Sequence, residues 1–281
     1  MHQSGINSPN QFIMALSRSV ESNVRHQPRK RFGQNFLRDE VVIQEIARSV
    51  GAGADDHIVE IGPGEGVLTT ALIASGCNLD AIELDRDLTA RLLASFSIYP
   101  GFRLHSADAL RFEFSSLKKT HKPLRIVGNL PYNISTPLLF RLLDYGSLIA
   151  DMHFMLQREV VDRLAASPGN KDWGRLGVMA QFQCAVEPLF EVPPEAFYPP
   201  PKVQSAVVRL TPHATRPWPD CDRAKLSHIV TQAFSQRRKT LRNNFKTMFD
   251  DSTLLALGID PSTRAETLSI ADFVALASLP E

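Results

Sequence analysis

Four places in this chain carry residues whose types and spacing could do chemistry: Glu60-Ile61-Gly62-Pro63-Gly64-Glu65-Gly66, Glu83, Asp108, and Asn129-Leu130-Pro131-Tyr132. The first lies between an apolar run (HIVEI) and a helical pattern (VLTTALIAS). Its glycines let the backbone turn tightly and approach a ligand with no side chain in the way. The free amides at a helix start favour a polar or anionic group. A dinucleotide fingerprint needs a third glycine at position 67, where Val67 stands, so support for a pyrophosphate is weaker. Glu83, 21 residues past Gly62, closes the next apolar run. A carboxylate there can accept from both hydroxyls of a ribose, in a nicotinamide dinucleotide and in S-adenosylmethionine alike. Asp108, after a third run, could accept from an adenine amino group. Each feature has a plainer reading as a tight turn, a solvated strand end or a turn-forming Asp. Three of them at successive strand ends favour a nucleoside ligand.

Asn129-Leu130-Pro131-Tyr132 follows a fourth run, LRIVGN, 67 residues past Gly62. Alone, Asn-x-Pro marks a turn. At a strand end it can serve methyl transfer to an exocyclic adenine amine. That amine is a poor nucleophile because its lone pair is delocalised into the ring, whereas a methyl sulfonium is already activated, so the protein must act on the amine. The Asn129 side-chain oxygen and a backbone carbonyl near Leu130 can accept both amine protons and draw the nitrogen towards tetrahedral geometry, with no strong base. Pro131 fixes the backbone, and Tyr132 offers a flat face to an extruded base.

These residues need strand ends to hold them. From His57 the chain alternates short apolar runs with helical patterns, which predicts an open, doubly wound, mostly parallel sheet with ligands at the carboxyl ends of its strands. The runs DMHFML, FQCAVEPLF and SAVVRL extend it, around a Gly-rich break (SPGNKDWG) and a Pro-rich segment (VPPEAFYPPPKV). Helical periodicity after the prolines near 211–219 predicts an α/β catalytic domain over 31–211 and a small all-α domain over 212–281. Residues 1–30, polar and poor in aromatics, read as a flexible extension. Net charge is +1, so any nucleic-acid contact must come from local clustering. Residues 223–249 hold Arg223, Lys225, Arg237, Arg238, Lys239, Arg242 and Lys246 with no acidic residue, interleaved with Phe234, Phe245 and Phe249. This is either a polyanion footprint or a solvated helix face. Arg29, Lys30 and Arg31 form a second cluster. Three scattered cysteines without metal-ligand spacing fit a reducing cytoplasm, no metal is expected, and no apolar stretch is long enough for a membrane helix.

Together with Arg31-Phe32-Gly33-Gln34-Asn35-Phe36-Leu37, Phe197-Tyr198-Pro199-Pro200-Pro201-Lys202-Val203 and Phe234 to Asn244, these motifs resemble the ribosomal RNA adenine dimethyltransferase family from about Arg29 to Ala275, and its bacterial small-subunit (16S) branch in particular. The resemblance implies a class I S-adenosylmethionine methyltransferase fold. It implies that Asn35 and Leu37 cover the methionine end of the cofactor while Gly62, Gly64, Glu83, Asp108 and Asn129 hold the rest. It also implies that Phe197 stacks on the target adenine opposite Tyr132, although Phe197 among prolines reads equally as a core plug. Arg237, Arg238, Lys239 and Arg242 would bind RNA. The implied reaction is dimethylation of N6 on two neighbouring adenosines in the 3′-terminal hairpin of 16S rRNA, late in assembly of the 30S subunit, by a monomer. Two other readings are a large-subunit adenine methyltransferase of the macrolide-resistance type and a non-catalytic rRNA-binding assembly factor.

Overall fold

The computed structural model describes residues 34–118 and 122–280. Arg29 to Gly33, and with them the second basic cluster and the 1–30 extension, lie outside the described residues. Strands β2 (His57–Ile61), β3 (Asn78–Glu83), β4 (Phe102–Ser106), β5 (Leu124–Asn129), β6 (Ile149–Gln157), β7 (Cys184–Val192) and β9 (Ser205–Pro212) form one seven-stranded sheet in the order β4-β3-β2-β5-β6-β9-β7. β4, β3, β2, β5 and β6 pair in parallel. All five β2 residues are buried, as expected of a parallel strand covered on both faces. A separate two-residue ribbon pairs β1 (Phe36–Leu37) antiparallel with β8 (Phe197–Tyr198).

Strand order reverses beside β2, since β3 and β4 build away on one side and β5 on the other. The crevice at such a reversal is where a doubly wound sheet binds ligands. The two strands meet closely there: a Cβ on Gly128 of β5 would come within 2.7 Å of the Ile61 carbonyl of β2, so only glycine fits. Helices α1 (Glu40–Val50), α2 (Val67–Ile73), α3 (Arg86–Phe96) and α4 (Ser135–Leu143) provide crossovers and cover. Asp39 and Asp85 cap α1 and α3 through their side chains.

The sheet also buries charge. Asp80 of β3 is fully buried between His57 of β2 and His105 of β4, each ring Nε2 lying 2.6 Å from a carboxylate oxygen. Burial alone pushes this carboxyl up, but hydrogen bonds with His105 and His57 outweigh it and hold Asp80 well below the usual range. Burial raises the Cys184 thiol to about 12, which leaves it an inert core residue.

The chain divides into two compact units. The first takes the described residues up to Arg158 together with Pro188–Arg209; the second takes Glu159–Glu187 and Leu210–Glu281. One crossing, after Arg209, falls close to the expected boundary near 212. The other does not: 159–187 belongs to the second unit, where a linear boundary would leave it in the catalytic domain. The reason is local packing. This unit holds α5 (Arg158–Ala165), α6 (Arg175–Gln183), α7 (Arg223–Ala233), α8 (Leu241–Phe245), α9 (Asp251–Ala256) and α10 (Ile270–Ala277), and α7 packs on α6, α8 and α10. Trp173 is fully buried and donates its indole N–H to the Leu268 carbonyl. A Cβ on Gly177 would lie 2.7 Å from the Arg163 carbonyl, which records how closely α5 and α6 meet.

Candidate active site

A cleft of about 360 Å³ opens at the carboxyl ends of β2, β3 and β5, and it lies wholly within the first unit. Of the residues expected to hold a cofactor, Asn35, Leu37, Gly62, Gly64, Glu83, Asp108 and Asn129 all line it, as do Leu130, Pro131 and Tyr132.

The loop after β2 needs its glycines for two reasons. Gly62, Gly64 and Gly66 adopt left-handed φ values of 68°, 59° and 83°. A Cβ on Gly66 would also lie 2.6 Å from the buried Phe96 ring, and one on Gly64 would lie 3.1 Å from Phe36. A side chain at 66 would collide with the core, and one at 64 would crowd Phe36 in the cleft wall.

Glu83 is buried at the end of β3 and accepts from the backbone amides of Asp85 (2.8 Å) and Gly64 (3.3 Å). Burial raises its pKa, and these amides partly offset the effect. The carboxylate thus ties the glycine loop to the next strand end. Asp108 is partly exposed and takes its own turn's Leu110 amide on Oδ1 at 2.9 Å, with Oδ2 3.9 Å from the exposed Arg111. A cleft with a backbone cradle, a buried ribose-type acceptor and a second acceptor beyond it fits S-adenosylmethionine.

Residues 34–38 strap across the strand ends. Gln34 donates to Asp85 (3.3 Å), the Asn35 carbonyl accepts from Asn129 Nδ2 (3.1 Å), and Phe36 covers Gly64. The Arg38 amide donates to Ala196, and its guanidinium lies 3.6 Å from Glu65 and over the Tyr198 ring. The Asn35–Asn129 bond decides how the Asn129 amide faces. A carbonyl can only accept, so the Asn129 NH2 group must point at Asn35, leaving Oδ1 as the acceptor end of the amide. In the loop that follows, Pro131 O is taken by the Ile134 and Ser135 amides and Tyr132 O by the Ser135 hydroxyl. Among the described residues no donor is bonded to the Leu130 carbonyl.

Phe197 is not brought to the cleft. It is 4% exposed, pairs with Leu37 in the β1–β8 ribbon and packs in the core with Val192 and Val207. The expectation that it stacks on a base opposite Tyr132 gives way to the core-plug reading: leaving the core would expose a full phenyl ring to water.

Two residues at or beside the site have roles that the motifs do not give. Glu60, fully buried on β2, accepts from the Thr69 hydroxyl at 2.6 Å and joins strand to helix beneath the glycine loop. Burial raises its pKa to about 7, the Thr69 hydrogen bond opposes this, and nearby Glu83 adds to it. The sequence signal for Glu60 is an acid within an otherwise apolar strand. Ser205, buried on β9, meets the Tyr132 hydroxyl at 2.9 Å and carries no such signal.

The basic segment of the second unit sorts into two kinds of cation. Arg237 donates to the Lys171 and Trp173 carbonyls, and Arg242 makes a two-pronged bond to Asp251, so both serve internal contacts. All five are exposed, but Arg238, Lys239 and Lys246 make no such side-chain bond among the described residues. Phe245 is fully buried with Phe249 edge-on at 5.4 Å, and Phe234 packs on Phe273, so the interleaved phenylalanines build core. Among the described residues no cluster of three His, Cys, Asp or Glu could hold a metal, and no helix is long and apolar enough to cross a membrane.

Comparison with known proteins places this geometry. The chain is 58% identical over 253 residues to a ribosomal RNA small subunit methyltransferase A of Saccharophagus degradans, covering 90% of this chain and 94% of the relative. It is 54% identical over 254 residues to the protein of that name in Pseudomonas aeruginosa, covering 90% and 95%. Among solved structures, a Plasmodium falciparum dimethyladenosine transferase shares the fold with a TM-score of 0.73 at 24% identity, covering 86% of this chain and 95% of that one. The 23S rRNA methyltransferase ErmE does so at 0.67 and 24%, covering 86% and 98%. The family model described as ribosomal RNA adenine dimethylase matches residues 25–280. Every described residue lies inside that match, and the chain belongs to the ribosomal RNA adenine dimethylase family of S-adenosylmethionine-dependent methyltransferases.

Proposed function

We propose that this rRNA adenine dimethyltransferase modifies N6 of two adjacent adenosines in the 3′-terminal hairpin of 16S rRNA, acting as a monomer on the small subunit late in its assembly in the cytoplasm. The observation that carries the chemistry is the Asn129–Asn35 bond, which leaves Asn129 Oδ1 and the Leu130 carbonyl as paired acceptors at the rim of the cofactor cleft. When bound by Asn35, Leu37, Gly62, Gly64, Glu83, Asp108 and Asn129, S-adenosylmethionine supplies a methyl group on an activated sulfonium. The two acceptors accept hydrogen bonds from the amine N–H groups and so localise the nitrogen lone pair. Stacking falls to Tyr132, worth roughly 1 to 3 kcal/mol for one base. The small-subunit substrate is supported by relatives at 54–58% identity that carry that name.

The test is transfer of labelled methyl groups to undermethylated small subunits, naked 16S rRNA and large subunits. Label on N6 of neighbouring adenosines in small subunits alone is the expected result; label in large-subunit RNA would overturn the substrate assignment.

RNA affinity should depend on salt through the exposed cations. Replacing Arg238 and Lys239 with alanine should flatten the slope of log affinity against log salt by roughly 0.7 to 0.9 for each phosphate that the variant no longer touches. Binding to small subunits across a salt series checks this, and an unchanged slope would remove both residues from the interface. Arg237→Ala should lower affinity through disorder of its loop rather than through the slope.

A further inference from the structure

We infer that Ser205 is a positioning residue for methyl transfer: its buried hydroxyl holds the Tyr132 phenol and so fixes the ring face that receives the target base. The inference rests on the reading of Tyr132 as the stacking face. Ser205 is 0% exposed at the start of β9, and its Oγ lies 2.9 Å from the Tyr132 hydroxyl, in a pair where either group can donate. The two residues are 73 positions apart and belong to different strand ends, so the bond is a tertiary one.

Both ends of the tyrosine are thereby held. At the backbone, the Tyr132 carbonyl accepts from Ser135 Oγ (3.1 Å), and the preceding Pro131 carbonyl accepts from the Ile134 and Ser135 amides (3.1 Å each). At the tip, Ser205 stands on a fixed strand: the neighbouring Gln204 takes the Arg158 amide on its carbonyl (3.0 Å) and Arg158 Nη1 on its side-chain oxygen (3.0 Å). A tyrosine side chain has two torsions, and a fixed carbonyl end with a tethered hydroxyl sets both. The ring is half-buried at the mouth of the cleft, with one edge spent on Ser205 and the loop beside it carrying the Leu130 and Asn129 acceptors. A ring oriented in advance loses no rotational freedom when the base arrives, and it places the amine at a set height above the acceptors.

The burial makes the hydroxyl informative. A small apolar residue would satisfy a buried strand position in this core, whereas a buried hydroxyl is costly unless partnered. The bond also explains why the residue at 132 carries a phenol. A phenylalanine would stack as well but would have no tether.

A double-mutant cycle on undermethylated small subunits tests this. Tyr132→Phe and Ser205→Ala should each lower kcat/KM for RNA by about five- to tenfold, the loss expected of one neutral hydrogen bond. The double variant should be no worse than either single, with S-adenosylmethionine affinity unchanged throughout; Tyr132→Phe, which strands the buried Ser205 hydroxyl, should lower the melting temperature, and the double variant should recover it. Tyr132→Ala should lose more, because the ring itself goes. Losses that multiply in the double variant, or wild-type activity in Ser205→Ala alongside an inactive Tyr132→Ala, would overturn the positioning role while leaving the stacking face intact. Wild-type activity in Tyr132→Ala would instead remove the stacking reading on which it rests.

Discussion

Alanine at position 129 should lower the methyl-transfer step by about 10²- to 10³-fold, the loss typical of removing one preorganised group aimed at developing charge. Cofactor affinity should change by less than about tenfold, a bound set by removing one side chain among many that hold the ligand. The amide has two ends: Nδ2 is committed to the Asn35 carbonyl at 3.1 Å, which in the proposed reaction leaves Oδ1 for the amine. Asn129→Asp separates orientation from acceptor strength. A carboxylate is the stronger acceptor, but it has no proton for Asn35 and would set one of its oxygens against that carbonyl. Aspartate should therefore be nearly as inactive as alanine. Glu83→Ala should show the reverse pattern, because it removes the anchor of the Gly64 and Asp85 amides and a ribose acceptor: cofactor binding weakens first. Single-turnover transfer measured beside calorimetry distinguishes them. Near-normal turnover by Asn129→Ala would sink the proposed chemistry.

The sheet was legible because parallel strands buried on both faces leave continuous apolar runs. HIVEI, LDAIEL and LRIVGN each became a strand, with bounds shifted by a residue at most. The cleft was legible for a related reason. Its glycines, Glu83, Asp108 and Asn129 sit at the ends of those runs, so finding the strands finds the site. The ribbon of Phe36–Leu37 with Phe197–Tyr198 is two residues long on each side, too short for an alternating pattern. Phe197 among prolines gave no sign of whether its ring faced cleft or core. Arg237 and Arg238 are adjacent, chemically identical and both exposed, yet only Arg237 is bonded to the 171–173 turn; only a tertiary contact tells them apart. The same holds for 159–187, whose helices pack on partners far along the chain, as the Trp173–Leu268 bond shows. Strand register hides the acids too. Glu60 and Asp80 both interrupt apolar strands, but Asp80 lies between two histidines and Glu60 meets a single hydroxyl.

That difference sets opposite pH behaviour, and Glu60 has the larger consequence near neutrality. Its pKa of about 7 in the folded chain stands above the 4.5 of an exposed glutamate. Between those values the folded state binds more protons than the unfolded one, so Glu60 makes stability fall as pH rises through this window. The favourable contribution is fully present below about 4.5 and gone above about 7. The whole change is on the order of 3 kcal/mol. Glu60→Gln keeps an oxygen for the Thr69 hydroxyl and removes the charge, so it should match the wild type near pH 5 and exceed it in stability at pH 8. Groups that do not interact with Glu60 titrate alike in both proteins and cancel in their difference; Glu83, whose charge raises the Glu60 pKa, is the coupled exception. Denaturant unfolding of the pair across pH 5 to 8 reads that difference directly. A constant gap over the range would mean that Glu60 keeps an ordinary carboxylate pKa despite its burial, and that the base of the glycine loop is more open to water than its packing shows.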